Sequence, residues 1–196
     1  MKGIGAASGA EVSGETQDAR LDPSRVGIRP WLVEDARALS AAVEASLEHL
    51  RPWMPWIAAE PRSLRDREAL IKRWEADRRD GGDLVLGMFL GTAVVGGCGL
   101  HHRIGRRGLE IGYWVGAPYT RHGYATAAAA MLTSLAFTYP LIEVVEIRVD
   151  AANQASAGVA RKLGYTRMEQ VATPVQAPAE TGVRDVWRVH RAEWLR

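Results

Sequence analysis

The sequence predicts one mixed α/β domain, α+β in character, over residues 26–196, with a leader at 1–25 that holds no sustained pattern. Three observations carry the prediction. The 196 residues suit a single domain able to bury its own core. The composition, 47% hydrophobic and 24% charged, is that of an ordinary globular chain. Helical and period-two apolar patterns interleave in the order strand, helices, three strands, helix, strand, helix, two strands, with no internal repeat.

Residues 1–25 contain Gly, Ser, Ala and scattered acids, the composition of a disordered leader. Val26-Gly27-Ile28-Arg29-Pro30 reads as a short strand ended by proline. Glu34-Asp35 opens a helix in which Ala38, Leu39, Ala42, Val43, Ala45 and Leu47 recur at helical spacing, and acids in its first turn suit the positive end of the helix dipole. Residues 50–61, rich in proline and including Trp53 and Trp56, predict a short turn or irregular segment. Ser63 caps the next helix, with Asp66 three residues on and a stripe of Leu64, Leu70, Ile71 and Trp74; its many charges read as a solvated face. Residues 83–90 and 93–102 flank a Gly91-Thr92 turn as a hairpin, and 109–115 form a third strand. Residues 123–138 are Ala-rich and helical. Over 143–150, Val145, Ile147 and Val149 alternate with Val144, Glu146, Arg148 and Asp150, the pattern of a half-buried strand. Asn153 caps a helix that Gly164 ends, and strands at 165–171 and 183–189 close the domain.

Several classes of function are disfavoured. Lys and Arg number 25 against 23 Asp and Glu, so the formal charge of +2 offers no basic field for nucleic acid. The lone Cys98 sits in the run Val94-Val95-Gly96-Gly97-Cys98-Gly99-Leu100 and reads as a small buried strand residue. No Cys/His spacing suits zinc, so no metal is expected. Met1-Lys2-Gly3-Ile4-Gly5-Ala6 lacks the apolar region of a signal peptide, and no run approaches the roughly 20 apolar residues that span a bilayer. The expectation is a cytoplasmic protein with neither a nucleic-acid nor a membrane partner.

The most informative stretch runs from Glu110-Ile111-Gly112-Tyr113-Trp114-Val115 through Thr120-Arg121-His122-Gly123-Tyr124-Ala125-Thr126. A strand leads into a loop, and Gly123 opens a helix of small residues. The first turn of a helix has N–H groups without intrahelical partners and lies at the positive end of the dipole. With Arg121 and His122 as added donors, this suits a phosphate or pyrophosphate.

Asn153-Gln154-Ala155-Ser156 and Leu163-Gly164-Tyr165 follow one strand later. Together these two segments resemble the GNAT superfamily of acyl-CoA-dependent N-acetyltransferases, over about residues 26–192. Arg29-Pro30-Trp31, Glu34-Asp35-Ala36 and Leu50-Arg51-Pro52-Trp53-Met54-Pro55-Trp56 look like the branch that contains the ribosomal-protein alanine and serine N-acetyltransferases. The resemblance implies a central, mostly antiparallel sheet, flanked by helices and splayed at a bulge between the strands at 109–115 and 143–150. It implies acetyl-CoA as acyl donor. The backbone of Arg121, His122, Gly123, Tyr124, Ala125 and Thr126 would hold the pyrophosphate, Val115 would pair with pantetheine, and Asn153 and Ser156 would face the sulfur end. Two positions depart from the family pattern. Thr120 stands where its phosphate signature has Gln or Arg, and Ala160 stands where many members have a tyrosine that protonates the leaving thiolate. Ser156 is the expected substitute acid; its competing role is to satisfy the helix N-terminus.

The amine must reach the thioester neutral, which calls for a base or a water chain to one. Glu110 begins the strand bordering the acceptor side, where related enzymes often carry a glutamate, and shares a face with Gly112 and Trp114. Its competing role is an ion pair with Arg106 or Arg107. His101 and His102 end the preceding strand, and one of them faces the site; as neutral imidazoles they could relay a proton, with a satisfied surface or strand-end histidine as the competing role for each, and His101 is counted with the substrate-binding residues. Trp53 and Trp56 are expected to wall the acceptor pocket, with core packing as the alternative. The expected reaction moves an acetyl group from acetyl-CoA to a primary amine by direct attack in a ternary complex. A protein or peptide N-terminal amine leads, since an α-amine with a pKa of ~7.7–8.0 asks less of a base than a lysine near ~10.4. A small-molecule amine such as an antibiotic or polyamine is the alternative acceptor, and an idle acyl-CoA sensor module the alternative class. A homodimer is compatible with the resemblance.

Overall fold

The computed structural model describes residues 22–195. Its strands are β1 (Gly27–Pro30), β2 (Leu84–Leu90), β3 (Ala93–His101), β4 (Gly108–Val115), β5 (Val144–Asp150), β6 (Thr166–Ala172) and β7 (Val183–His190). Its α-helices are α1 (Ala36–Glu44), α2 (Leu47–Leu50), α3 (Leu64–Arg79), α4 (Tyr124–Ala136), α5 (Gln154–Lys162) and α6 (Arg191–Trp194). The foreseen caps are in place. Ser63 accepts the Asp66 N–H at 3.1 Å ahead of α3, and Asn153 Oδ1 accepts the Ser156 N–H at 3.1 Å ahead of α5. Gly164, φ +76°, takes the left-handed turn after α5 that a side chain would resist.

The strands form one seven-stranded sheet in the order β1-β2-β3-β4-β5-β7-β6. Every neighbouring pair is antiparallel except β4 and β5. A parallel pair needs a crossover, and α4 supplies it. Pairing between β4 and β5 covers Gly108–Glu110 against Val144–Glu146 and goes no further. Both strands continue, to Val115 and Asp150, so a wedge opens between them. The register shifts lie elsewhere, at Met88/Phe89 and at Arg167/Gln170, so the expected bulge at the splay is replaced by strands that part where their ladder ends.

Helices α4 and α5 cover one face of the sheet over Met88, Val95, Ile111, Leu132, Val145, Ile147 and Ala160. Helices α1 and α3 cover the other over Trp31, Leu39, Val43, Ile57, Ile71 and Phe89. Three features depart from the sequence reading. Arg67, expected on the solvated face of α3, is buried and pairs with the equally buried Glu60 at 2.7 Å. Strand β5 is buried on both faces, because Glu146 is roofed by the guanidiniums of Arg148 and Arg188 and Asp150 binds backbone. Helix α6 was not foreseen. Of the expected leader, residues 1–21 lie outside the described residues; Pro23–Arg25 form a 3₁₀ turn whose Asp22 cap accepts the Ser24 N–H at 2.8 Å.

Candidate active site

The loop between β4 and α4 is shaped by two left-handed residues, Arg121 with φ +67° and Gly123 with φ +83°. For Arg121 that conformation is strained, and a strained residue beside a helix start points to function. Gly123 is the residue that caps α4, and no side chain supplies the cap. The His122 ring stacks on Tyr124 with centroids 5.8 Å apart, and its Nδ1 is buried without a hydrogen-bond partner among the described residues. An unpaired buried nitrogen beside a helix N-terminus fits an anionic ligand that would complete it. The residues expected to hold the pyrophosphate therefore fit that group. Val115 pairs with Gly96 of β3, and the opposite edge of β4, from Ile111 onward, has no partner strand. That free edge is the backbone available to pantetheine.

On the α1/α3 side, a cleft of about 590 Å³ runs from Trp53 and Trp56 past His101, Glu110, Gly112 and Trp114 to Asn153 and Ser156. It thus gathers the residues expected to bind acceptor and those expected to act on the thioester, while Val115 and residues 121–126 lie outside its lining. Trp56 packs on Trp114 with ring centroids 5.9 Å apart. Two glycines let side chains close down on the sheet: a Cβ on Gly97 would stand 2.5 Å from Trp114 Nε1, and one on Gly112 3.1 Å from His101 Nε2.

Glu110 is buried and lines the cleft. Its ion pairs are to Arg103 at 3.2 Å and Arg148 at 4.0 Å, not to Arg106 or Arg107; Arg107 instead pairs with Glu143. His101 Nδ1 lies 2.7 Å from Asp83 Oδ2, while His102 is exposed. Burial alone would raise the Asp83 carboxyl, but its bonds to His101 and the His102 N–H outweigh that and hold it below the usual range. Ser156 does not cap its own helix. Its Oγ lies 2.8 Å from the Tyr113 hydroxyl, which also lies 3.1 Å from the Ser156 carbonyl. Burial pushes the Tyr113 phenol up to about 12, so it stays protonated at neutral pH. Burial likewise pushes the Cys98 thiol up to about 12, which removes it as a nucleophile.

Sequence reasoning passed over Tyr113 and Asp83. Tyr113 lies on the face of β4 opposite Glu110, and its hydroxyl meets Ser156 only once α5 is docked. Asp83 had a signal, since the foreseen hairpin brings the ends of its two strands together. Among the described residues no group of His, Cys, Asp and Glu could hold a metal, and no helix is long and apolar enough to cross a membrane.

A parallel strand pair that opens into a wedge, a helix start behind a left-handed loop, and the Tyr113–Ser156 hydroxyl pair beside the cleft fit an acyl-CoA-dependent transferase. Residues 25–166 match the acetyltransferase (GNAT) domain family, and the chain belongs to it. The chain is 27% identical over 143 residues to the putative ribosomal N-acetyltransferase YdaF of Bacillus subtilis (strain 168), covering 71% of this chain and 77% of that one. Mycobacterium smegmatis RimJ, solved in complex with CoA-disulfide, superposes with a TM-score of 0.74 at 26% identity, covering 86% of this chain and 83% of that one. RimL, a ribosomal L7/L12 α-N-protein acetyltransferase solved with coenzyme A, superposes with a TM-score of 0.77 at 16% identity, covering 85% and 94%. The protein is an N-acetyltransferase that uses acetyl-CoA as its acyl donor.

Proposed function

We propose that the acceptor is the N-terminal α-amine of a protein, with a ribosomal protein as the leading class. The observation that carries this reading is the cleft itself, which joins the Trp53 and Trp56 wall to His101, Glu110 and Ser156. Trp114 is seated over Gly97 and the His101 ring over Gly112, so an amine held against the Trp53, Trp56 and Trp114 wall meets ionisable groups. The names of the YdaF, RimJ and RimL relatives support it. So does the chemistry of the acceptor, since an α-amine of pKa ~7.7–8.0 is partly neutral at physiological pH and asks little of a base.

In this reading the Arg121–Thr126 backbone and His122 hold the pyrophosphate, the free edge of β4 near Val115 aligns pantetheine, and Asn153 fixes the first turn of α5. Acetyl-CoA supplies the acyl group as an activated thioester. Trp53 and Trp56 orient the acceptor, and Glu110 and His101 are the floor groups able to take the amine's proton. Ser156, backed by the protonated Tyr113, donates a proton to the departing sulfur. The enzyme would work in the cytoplasm, consistent with the lack of a membrane-crossing helix among the described residues. A homodimer would form through edge strand β6, which exposes Met168 and Val171; sedimentation velocity tests that point.

The test of the acceptor is free-thiol release, with product mass, over four sets. These are peptides with free Ala or Ser N-termini, the same peptides blocked at the N-terminus but containing lysine, polyamines, and aminoglycosides. Turnover should be confined to free N-termini. Turnover confined to blocked peptides, polyamines or aminoglycosides would overturn the assignment.

A further inference from the structure

We propose that His101, held by Asp83, is the proton acceptor for the attacking amine, and that Glu110 serves as the charge partner of two arginines. The inference rests on the acetyl-transfer reading above and deepens it. A carboxylate can only accept a hydrogen bond, so the 2.7 Å contact between His101 Nδ1 and Asp83 Oδ2 places the imidazole proton on Nδ1. Asp83 is itself fixed, since its other oxygen accepts the His102 N–H at 2.9 Å. Nε2 is then left as a lone-pair acceptor. It has no protein partner among the described residues and is absent from their buried unpaired atoms. The ring lies over glycine: Cβ atoms on Gly112 and Gly99 would stand 3.1 and 3.3 Å from Nε2. Gly112 and His101 both line the cleft, so the lone pair sits where the acceptor enters.

Glu110 is the poorer acceptor on geometric grounds. It stands directly across the β3–β4 ladder from His101, yet its two oxygens face Arg103 and Arg148. Both carboxylate oxygens are thus already engaged, whereas His101 Nε2 has no protein partner among the described residues. The charged groups around His101 are thus Asp83 ahead of β2, Glu110 on β4, Arg103 after β3 and Arg148 on β5. In the transfer, the amine lone pair forms the C–N bond while the thioester C–S bond breaks. The amine's proton passes to His101 Nε2, and the departing sulfur takes one from Ser156. Asp83 is a positioning residue: it sets the tautomer and steadies the imidazolium that results.

The experiment has two arms. Long-range ¹H–¹⁵N NMR of the full chain reads the His101 tautomer without any turnover. Wild type should carry the proton on Nδ1, and Asp83→Asn, whose amide can donate to Nδ1, should move it to Nε2. A wild-type proton on Nε2 overturns the proposal even if no acceptor is turned over, which separates its failure from failure of the acceptor assignment. The second arm measures kcat/KM against pH with the peptide that wild type turns over best, alongside acetyl-CoA Kd as a folding control. His101→Gln should lose 10²–10⁴-fold and the acidic limb of the profile. Asp83→Asn should lose at least tenfold in kcat with little change in KM, and Asp83→Glu should recover part of it. Retention of wild-type kcat/KM by His101→Gln, with the loss falling on Glu110→Gln instead, overturns the proposal.

Discussion

Asp150 ends β5 at the inner end of the cleft, and its carboxylate is the knot between that strand and the loop before β7. It accepts the Ala152 N–H at 2.9 Å, the Thr181 N–H at 2.7 Å and the Thr181 hydroxyl at 3.0 and 3.1 Å. Asp150→Asn keeps the shape but turns one acceptor into a donor aimed at donors. A hydrogen bond to a charged group contributes about 1.5–3 kcal/mol, and an unpaired buried donor costs about 1–3 kcal/mol. Losing one such bond and straining the next should therefore destabilise by about 2–4 kcal/mol, a fall in Tm of roughly 4–16 °C for a chain of this size. The pH dependence has a definite sign. Burial would raise the Asp150 carboxyl, but the bonds from Ala152, Thr181 and Gly182 outweigh it and hold it below the ordinary 3.8. A carboxyl depressed in the fold stabilises above its unfolded value and ceases to do so as pH falls through the folded one. The gap between wild type and Asp150→Asn should thus be constant from pH 7 to about 5 and shrink below 3.8. Chemical denaturation at stepped pH reads it. Because Gln176, Glu180 and Arg184 of the tied segment line the cleft, acceptor KM should rise as well. A Tm within about 2 °C of wild type, or a gap that persists unchanged to pH 3, would refute the reasoning.

Three further outcomes are expected. Gly123→Val forces a β-branched residue into φ +83°, and acetyl-CoA affinity by calorimetry should fall at least roughly tenfold, about 1.4 kcal/mol, while the protein stays folded. Trp56→Ala removes the partner of Trp114, and Trp53→Ala the neighbouring wall; each should raise acceptor KM and leave acetyl-CoA affinity near wild type, whereas equal loss of both with a large fall in Tm would mark the pair as core. Ser156→Ala should reduce kcat modestly at every pH, because a higher pH does not replace a missing acid, and Tyr113→Phe should follow it more weakly; a Ser156→Ala defect that disappears at high pH would remove the acid from the scheme.

How far the sequence led is clearest at β4 and β5. Both strands were found from their period-two patterns, and the family resemblance supplied their separation. What the sequence could not show was how they separate. A ladder that stops at Glu110 and Glu146 is set by the twist of the sheet and the docking of α4, neither of which leaves a local pattern. The same limit explains β5, whose alternation promised a solvated face. Glu146 and Asp150 are polar and buried at once, because Arg188 lies on a neighbouring strand and Thr181 in a distant loop. Periodicity reads faces, and it cannot tell a face open to water from one closed by ion pairs.

The site was legible where chemistry rides on local turns and illegible where it rides on pairs across the sheet. The Arg121–Gly123 loop and the Asn153 cap are each written in a few consecutive residues, and both stand where the motifs put them. Ser156, Glu110 and His101 were singled out one at a time, yet what each can do depends on a partner 43, 38 and 18 residues away in the chain: Tyr113, Arg148 and Asp83. Those partners redistribute the roles. Asn153 does the capping, and Tyr113 keeps a proton within reach of Ser156. Arg103 and Arg148 engage the two oxygens of Glu110. Asp83 turns a strand-end histidine, one of two that the sequence could not tell apart, into an oriented acceptor over a floor of glycine. The residue types that the proposed scheme needs were therefore visible in the chain, while the proposed division into acid, base and counter-ion depends on the register of β3 against β4 and the docking of α5.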